Sequence, residues 1–290
     1  MIKVLHKQDC CGCTACASIC KQQAITMQTD ERGFLYPQIN VAKCMDCGLC
    51  EKVCIFQKGY STNDTQPPIA YAVRHKNEEE LKSSRSGGMF VALADFILSE
   101  NGIVYGAGYT DHFRVVHKRA TDKEGYREFK GSKYVQSDLN STFLQVKHDL
   151  KEKKKVLFTG TPCQTAGLNA YLMNIDKSNL YVCDLVCHGT PSPYIWRDYL
   201  NYVEEKVNDK IIMVDFRDKE KGWSSHFESF VFRNNKKLFT RTYTELFYKH
   251  IILRPSCEIC RYTNIYRPSD ITIADFWGWE KTIPHQFTSI

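Results

Sequence analysis

Cysteine spacing carries the clearest chemistry in this sequence. One block reads Cys10-Cys11-Gly12-Cys13-Thr14-Ala15-Cys16-Ala17-Ser18-Ile19-Cys20. A second reads Cys44-Met45-Asp46-Cys47-Gly48-Leu49-Cys50-Glu51-Lys52-Val53-Cys54. With Cys11 set aside, both have the spacing C-x2-C-x2-C-x3-C. Three thiolates in one tight loop wrap three corners of an iron–sulfur cube, and the fourth cysteine of each block closes the other cube. The spacing assigns one 4Fe-4S cluster to Cys10, Cys13, Cys16 and Cys54. A second goes to Cys44, Cys47, Cys50 and Cys20. Structural zinc takes its thiolates as separated pairs and does not need a third cysteine at the next step. Disulfides need an oxidising compartment, to which nothing here points.

Such a block resembles bacterial-type dicluster ferredoxins. It departs from them after the fourth cysteine of each block, where a proline is common and this chain has Lys21 and Ile55. The cysteines need little around them. Short helical turns are expected over residues 15–20 and 49–53. A hairpin is expected from residues 24–27 and 34–36 about the turn Thr29-Asp30-Glu31-Arg32-Gly33. So small a unit has little apolar surface to bury, and bound metal supplies much of its folding energy.

The polar run Ser61-Thr62-Asn63-Asp64-Thr65-Gln66-Pro67-Pro68 reads as a linker. It divides the chain into a ferredoxin domain over residues 1–60, a linker over 61–68 and a body over 69–290. Strands are expected at 69–74, Ile103–Tyr109 with 114–119 as its partner, 155–160, 180–186 and 211–216. A hairpin follows at 227–232 and Lys237–Thr240. Helices are expected at 77–82, Met89–Ser99, 161–173 and from Ser192 through Val203. Thr161-Pro162 and Ser192-Pro193 are helix starts, a capping hydroxyl followed by proline at the first position. The fold class expected is therefore a small α+β dicluster ferredoxin domain followed by an α/β layered, flavin-binding domain, the α/β reading resting on the alternation of elements.

Five cysteines remain: Cys163, Cys183, Cys187, Cys257 and Cys260. Cys163 sits at a helix start after a strand, Cys187 ends a strand, and Cys257 and Cys260 form a C-x2-C pair. Strand ends and helix starts share one edge of an α/β sheet, where sites gather. Four of these thiols can therefore meet, as a third cluster or as zinc, while Cys183 is expected buried in its strand. Inert buried cysteines are the plain alternative. Ser84-Arg85-Ser86-Gly87-Gly88 before a helix reads equally as an anion site or an ordinary glycine-rich loop. No standard dinucleotide or P-loop fingerprint is present, since Gly131-Ser132-Lys133 lacks the upstream glycine spacing.

From the linker onward the chain resembles the beta-subunit family of the coenzyme F-420 (deazaflavin) hydrogenases and dehydrogenases. The resemblance rests on Ser84-Arg85-Ser86-Gly87-Gly88-Met89-Phe90, Gly131-Ser132-Lys133-Tyr134-Val135-Gln136-Ser137 and Thr159-Gly160-Thr161-Pro162-Cys163-Gln164. It continues through Val186-Cys187-His188-Gly189-Thr190-Pro191-Ser192, Phe216-Arg217-Asp218-Lys219, Arg254-Pro255-Ser256-Cys257-Glu258-Ile259-Cys260 and Ser269-Asp270-Ile271-Thr272-Ile273-Ala274-Asp275-Phe276-Trp277-Gly278. It implies FAD as cofactor. Ser86, Gly87 and Gly88 would lie near its phosphates, and Lys133, Tyr134 and Ser137 would contact the flavin or its pyrophosphate. Gly160, Thr161 and Pro162 would line the same cleft beside Cys163. Spacing and resemblance together favour a third 4Fe-4S cluster held by Cys163, Cys187, Cys257 and Cys260. Relatives continue beyond the Asp-Phe-Trp-Gly motif, so a C-terminally truncated chain is also expected.

The composition excludes other classes. With 290 residues, 43% hydrophobic and 12% aromatic, the chain has a real core. Its net charge of +6 is offset by the negative charge of thiolate-bound clusters, so nucleic-acid binding is not expected. The run Lys151–Lys155 reads as a solvated helix end. No segment is a signal peptide or a membrane span. With 14 cysteines, a reducing cytoplasm is expected, in an anaerobe. The function expected is an oxidoreductase passing electrons between ferredoxin-type clusters and a hydride donor or acceptor, through FAD. The alternative is an electron-transfer subunit with no substrate of its own, in a hetero-complex. The partner is a redox protein or a small hydride carrier. No residue reads as a general acid or base.

Overall fold

The structure, a computed structural model, describes residues 1–57, 67–222 and 224–278, apart from the side chain of Ser86. Most of the expected linker, residues 61–66, lies outside the described residues.

Each cysteine loop curls and then enters one helical turn, α1 (Ala15–Ile19) or α2 (Leu49–Lys52). The two loops repeat each other in backbone as well as in sequence. Gly12 and Thr14 in the first have φ of 70° and 62°, and Asp46 and Gly48 in the second have 49° and 70°. Left-handed residues at matching places bend both loops the same way, a conformation that is uncommon for Thr14 and Asp46. Between them β1 (Ile25–Thr29) and β2 (Leu35–Ile39) pair antiparallel, Ile25 opposite Ile39. Asp30 closes their turn by accepting from the amides of Arg32 and Phe34, at 3.0 and 2.9 Å.

The body begins with α3 (Glu78–Ser83) and α4 (Met89–Ser99). Residues 69–74, expected as a strand, are not one. They run as largely exposed chain, with Ile69 77% and Tyr71 65% exposed, and join no sheet among the described residues. An apolar run alone does not make a strand where no sheet edge meets it.

Next come β3 (Ile103–Tyr109), β4 (Val115–Ala120), α5 (Lys123–Arg127), α6 (Thr142–Lys151), β5 (Val156–Gly160), α7 (Pro162–Leu172) and β6 (Leu180–Leu185). A short late strand, β10 (Ile271–Ile273), joins them in the order β10-β6-β5-β3-β4. All pairings are parallel except β3 with β4. Parallel strands are covered on both faces, and here the covers are two apolar clusters. One holds Phe143, Val146 and Leu168 against Phe158 and Val182. The other holds Val91, Ala94 and Ile97 against Val104 and Leu157.

The alternating pattern does not run on to the end. Residues 211–216 were expected to extend the same layered alternation. Instead β7 (Ile211–Asp215), β8 (Glu228–Phe232) and β9 (Lys237–Thr240) form a separate antiparallel sheet. With α8 (Pro193–Val207) and α9 (Thr242–Tyr248) it encloses a second core around Trp196, Phe216, Phe230 and Tyr243. No helix among the described residues is long and apolar enough to cross a membrane.

The ferredoxin segment is fused to this body through a common core. Ala15 and Val53 share a cluster with Phe143 and Leu168. At the closest approach α7 meets the first cysteine loop. A Cβ placed on Gly167 would stand 2.7 Å from Cys13 Cβ and 2.8 Å from its Sγ. Alanine would gain about 1 kcal/mol of helix propensity there, but pressing a methyl into a packed contact costs about 1–3 kcal/mol. Gly167→Ala is therefore expected to lower thermal stability and to cut iron retained at Cys10, Cys13, Cys16 and Cys54. Iron assay beside a melting curve checks both.

Candidate metal centres and cofactor cleft

Cys10, Cys13, Cys16 and Cys54 meet in one place. Cys10, Cys11, Cys13, Cys16 and Cys54 line a single cavity. Burial first, then the neighbouring sulfurs, pushes the Cys10 thiol up to about 11 and the Cys16 thiol well above its ordinary range. Burial makes Cys10, Cys16 and Cys54 resist ionisation, while the Cys11 thiol holds Cys13 down. A bound cation removes that penalty, which makes metal binding and thiol ionisation one event.

In the second set, Cys20 and Cys50 pack in the same apolar patch as Cys16 and Cys54. The Cys20 sulfur accepts from the amide of Ala24, and the Cys50 sulfur from that of Ile2, both at 3.3 Å. Cys44 borders an open hollow, and Cys47 is exposed beside Met45, which is 68% exposed. This second set faces outward and the first faces inward.

The inward side leads to the other cysteines. Cys163, Cys187, Cys257 and Cys260 line one cavity. Sheet topology explains the meeting. Cys163 is in the first turn of α7 after β5, Cys187 lies just past β6, and the 3-10 turn Pro255–Cys257 brings the pair from the far side. Burial and then the other thiols raise the thiols of Cys187, Cys257 and Cys260. Cys163 is held down to about 7, chiefly by the Cys11 thiol and then against its own burial by Thr161. The Thr161 hydroxyl lies 3.3 Å from the Cys163 sulfur. Cys183 is buried in β6 as expected, its thiol raised to about 12 by burial. Among the described residues no three His, Cys, Asp or Glu side chains converge on a point fit for one metal ion.

Two residues here escaped the cysteine pattern. Cys11 is buried and lines both inward cavities, between Cys13 and Cys163. Arg254, 1% exposed, ties the ferredoxin segment to the body. Its guanidinium donates to the carbonyls of Cys10 and Leu35 and to Oε1 of Gln136, each at 2.8 Å. It also lies 4.3 Å from the Tyr36 ring centre. Gly12 leaves room for it, since a Cβ there would meet the Arg254 guanidinium at 2.9 Å. The one sequence signal was position, three residues before the C-x2-C pair.

A cleft of about 520 Å³ opens at the carboxyl ends of β5, β6 and β10. That lies within the range of small-molecule and cofactor pockets. Lys133, Tyr134, Ser137, Gly160 and Thr161 line it, together with Ser84 and Arg85. Pro162 instead lines the cysteine cavity behind. Gly87 and Gly88 are not among the lining residues. They are left-handed and packed on His75, which donates its amide to the Gly87 carbonyl at 2.7 Å. The walls carry flat aromatic surface, with Tyr134 stacked on Phe247 at 4.6 Å and His226 on Trp277 at 6.0 Å. Cations stand among them. Arg85 pairs with Asp215 at 3.1 Å, Lys130 with Glu80 at 2.5 Å, and Arg217 with Asp275.

Among the described residues, Ser84 Oγ, Arg85 Nε and His117 Nδ1 are enclosed atoms of this lining with no hydrogen-bond partner, and Asp184 Oδ2 has only its ion pair with Arg267. Buried polar groups are almost always hydrogen-bonded. A ligand bringing phosphate oxygens and ring or sugar polar atoms would complete these, so the residues present fit FAD.

Lys133 makes the cleft pH-sensitive. Burial holds its ammonium down to about 8, from an ordinary 10.5. Between those values the unfolded chain carries a proton that the folded chain has released, so stability from this group rises with pH across the window. Anion binding runs the other way. Affinity for an anionic ligand of this cleft is expected to fall as pH rises through about 8. Lys133→Met should flatten that dependence in a fluorescence titration.

Residues 9–58 match the family described as 4Fe-4S dicluster domain. Residues 153–289 match the family described as the C terminus of the coenzyme F420 hydrogenase/dehydrogenase beta subunit. No curated protein matches the chain. Among solved structures, the F420-reducing NiFe hydrogenase complex from Methanosarcina barkeri, derivatised with xenon, matches with a TM-score of 0.48. Sequence identity there is 18%, covering 69% of this chain and 68% of that one.

Proposed function

We propose that this chain, which joins a 4Fe-4S dicluster domain to a C-terminal domain of the coenzyme F-420 hydrogenase/dehydrogenase beta-subunit family, is an iron–sulfur flavoprotein oxidoreductase. The observation that carries this is the shared wall. Cys187, His188, Gly189 and Thr190 line both the third cysteine cavity and the large cleft. A centre held by Cys163, Cys187, Cys257 and Cys260 would stand against whatever the cleft binds. Cys11 lies between that centre and the one held by Cys10, Cys13, Cys16 and Cys54. The set Cys20, Cys44, Cys47 and Cys50 would form the outer terminal.

FAD in the cleft would supply the exchange between a hydride and single electrons. The chain's own part is to bind and orient. Arg85, Lys130 and Lys133 provide positive charge for the pyrophosphate, and Tyr134 presents an aromatic face. The physiological partner would be a hydride carrier such as a deazaflavin, or a redox protein at the outer set. Exposure of Cys47 and Met45 favours a second reading, in which the chain serves a partner enzyme and has no substrate of its own.

Anaerobic purification with flavin and iron assays tests the proposal. About twelve irons and one FAD per chain are expected. Protein with its clusters that neither retains nor binds FAD would sink the flavoprotein reading. Reduction by reduced deazaflavin without a partner protein would decide against the second reading.

A further inference from the structure

One strand of the cleft presents a group with no task in that account. His117 lies on β4 opposite Ala107 of β3 and is 6% exposed. Ala107 offers only a methyl, which lets the imidazole pass over β3 to β5. There Nε2 stands 2.9 Å from the Thr159 carbonyl oxygen. A carbonyl oxygen can only accept, so the ring proton belongs on Nε2. Nδ1 is left as a bare acceptor, enclosed, without a protein partner, on a residue that lines the cleft. The ring cannot turn away, because it is stacked on Phe158 at 5.4 Å and 16°. Burial also holds it down to about 4, so it stays neutral at ordinary pH.

We propose that His117 is a positioning residue that reads the ligand of the cleft by accepting, at Nδ1, an N–H of its heterocyclic ring. This rests on the flavin reading above. A flavin ring offers an N–H on its pyrimidine edge and gains another when reduced. A ring without that hydrogen leaves Nδ1 buried and unpaired, and is disfavoured. A hydrogen bond to a ring nitrogen also shifts the bound flavin's potential.

The test uses the full chain with its clusters, stripped of flavin and titrated anaerobically with FAD. Replacing His117 with leucine keeps apolar bulk but removes the acceptor. It is expected to weaken FAD binding roughly tenfold to a hundredfold and to shift the flavin potential. His117→Asn keeps an acceptor near the place of Nδ1 and is expected to restore most of both. Wild-type affinity and potential in His117→Leu would overturn the inference, as would no rescue by His117→Asn when its cluster spectrum and melting curve match wild type. Wild-type protein that binds no FAD would instead overturn the reading beneath it. If His117→Leu does not fold, the His117→Asn comparison decides: wild-type affinity and potential support the acceptor, and loss of both in folded protein overturns it.

Discussion

Arg254→Ala is expected to destabilise the protein by about 3–5 kcal/mol and to move cluster potentials to more negative values. The change leaves two half-buried carbonyls, of Cys10 and Leu35, and the Gln136 amide oxygen without their donor. An orphaned buried acceptor costs about 1–3 kcal/mol. A domain is stable by only about 5–15 kcal/mol, so a large share of the total is at risk. The electrostatic effect is separate. Arg254 is a buried positive charge that holds the thiols of Cys10, Cys13 and Cys163 lower than they would otherwise be. A positive charge beside a cluster favours its reduced, more negative form, so its loss makes reduction harder. Arg254→Lys separates the effects. A lysine keeps the charge but cannot spread donors to three acceptors. It should keep more of the potential than of the stability. Melting curves and redox titrations read both, and an alanine variant with wild-type values for each would refute this role.

That contact also marks where sequence reasoning stops. The cysteine blocks were legible because their ligands are close in the chain and the cube dictates the spacing. The meeting of Cys163, Cys187 and the Cys257–Cys260 pair was legible for another reason. A parallel sheet sends its strand ends to one edge, and the alternation of elements announced such a sheet. Arg254 was not legible in the same way. Two of its partners are backbone carbonyls, which no residue pattern marks. Cys11 fell outside the spacing rule, yet it stands between two cysteine cavities. His117 looked like any residue of a strand, because its task depends on Ala107 and Thr159 on two other strands. Residues 69–74 failed in the opposite sense: the pattern suited a strand, but among the described residues no sheet edge meets it.

The third cysteine set yields the other large effect. Cys260 is the ligand to change, because it lines the inner cavity but not the cleft, whereas Cys187 lines both. In Cys260→Ser, iron is expected to fall from about twelve to about eight per chain, with FAD retained. The resonance signals of the two ferredoxin-type centres should persist, since their eight cysteines are untouched. Electron passage between those centres and the bound flavin should slow sharply, because the middle step is gone. Metal analysis separates the alternatives. Zinc at this set would give about eight irons and one zinc in the wild type, and loss of zinc alone in the variant. Inert cysteines would give about eight irons in both proteins. In that case the cavity shared by Cys163, Cys187, Cys257 and Cys260 would be a gap between donor and acceptor, and the wall it shares with the cleft would lose its meaning.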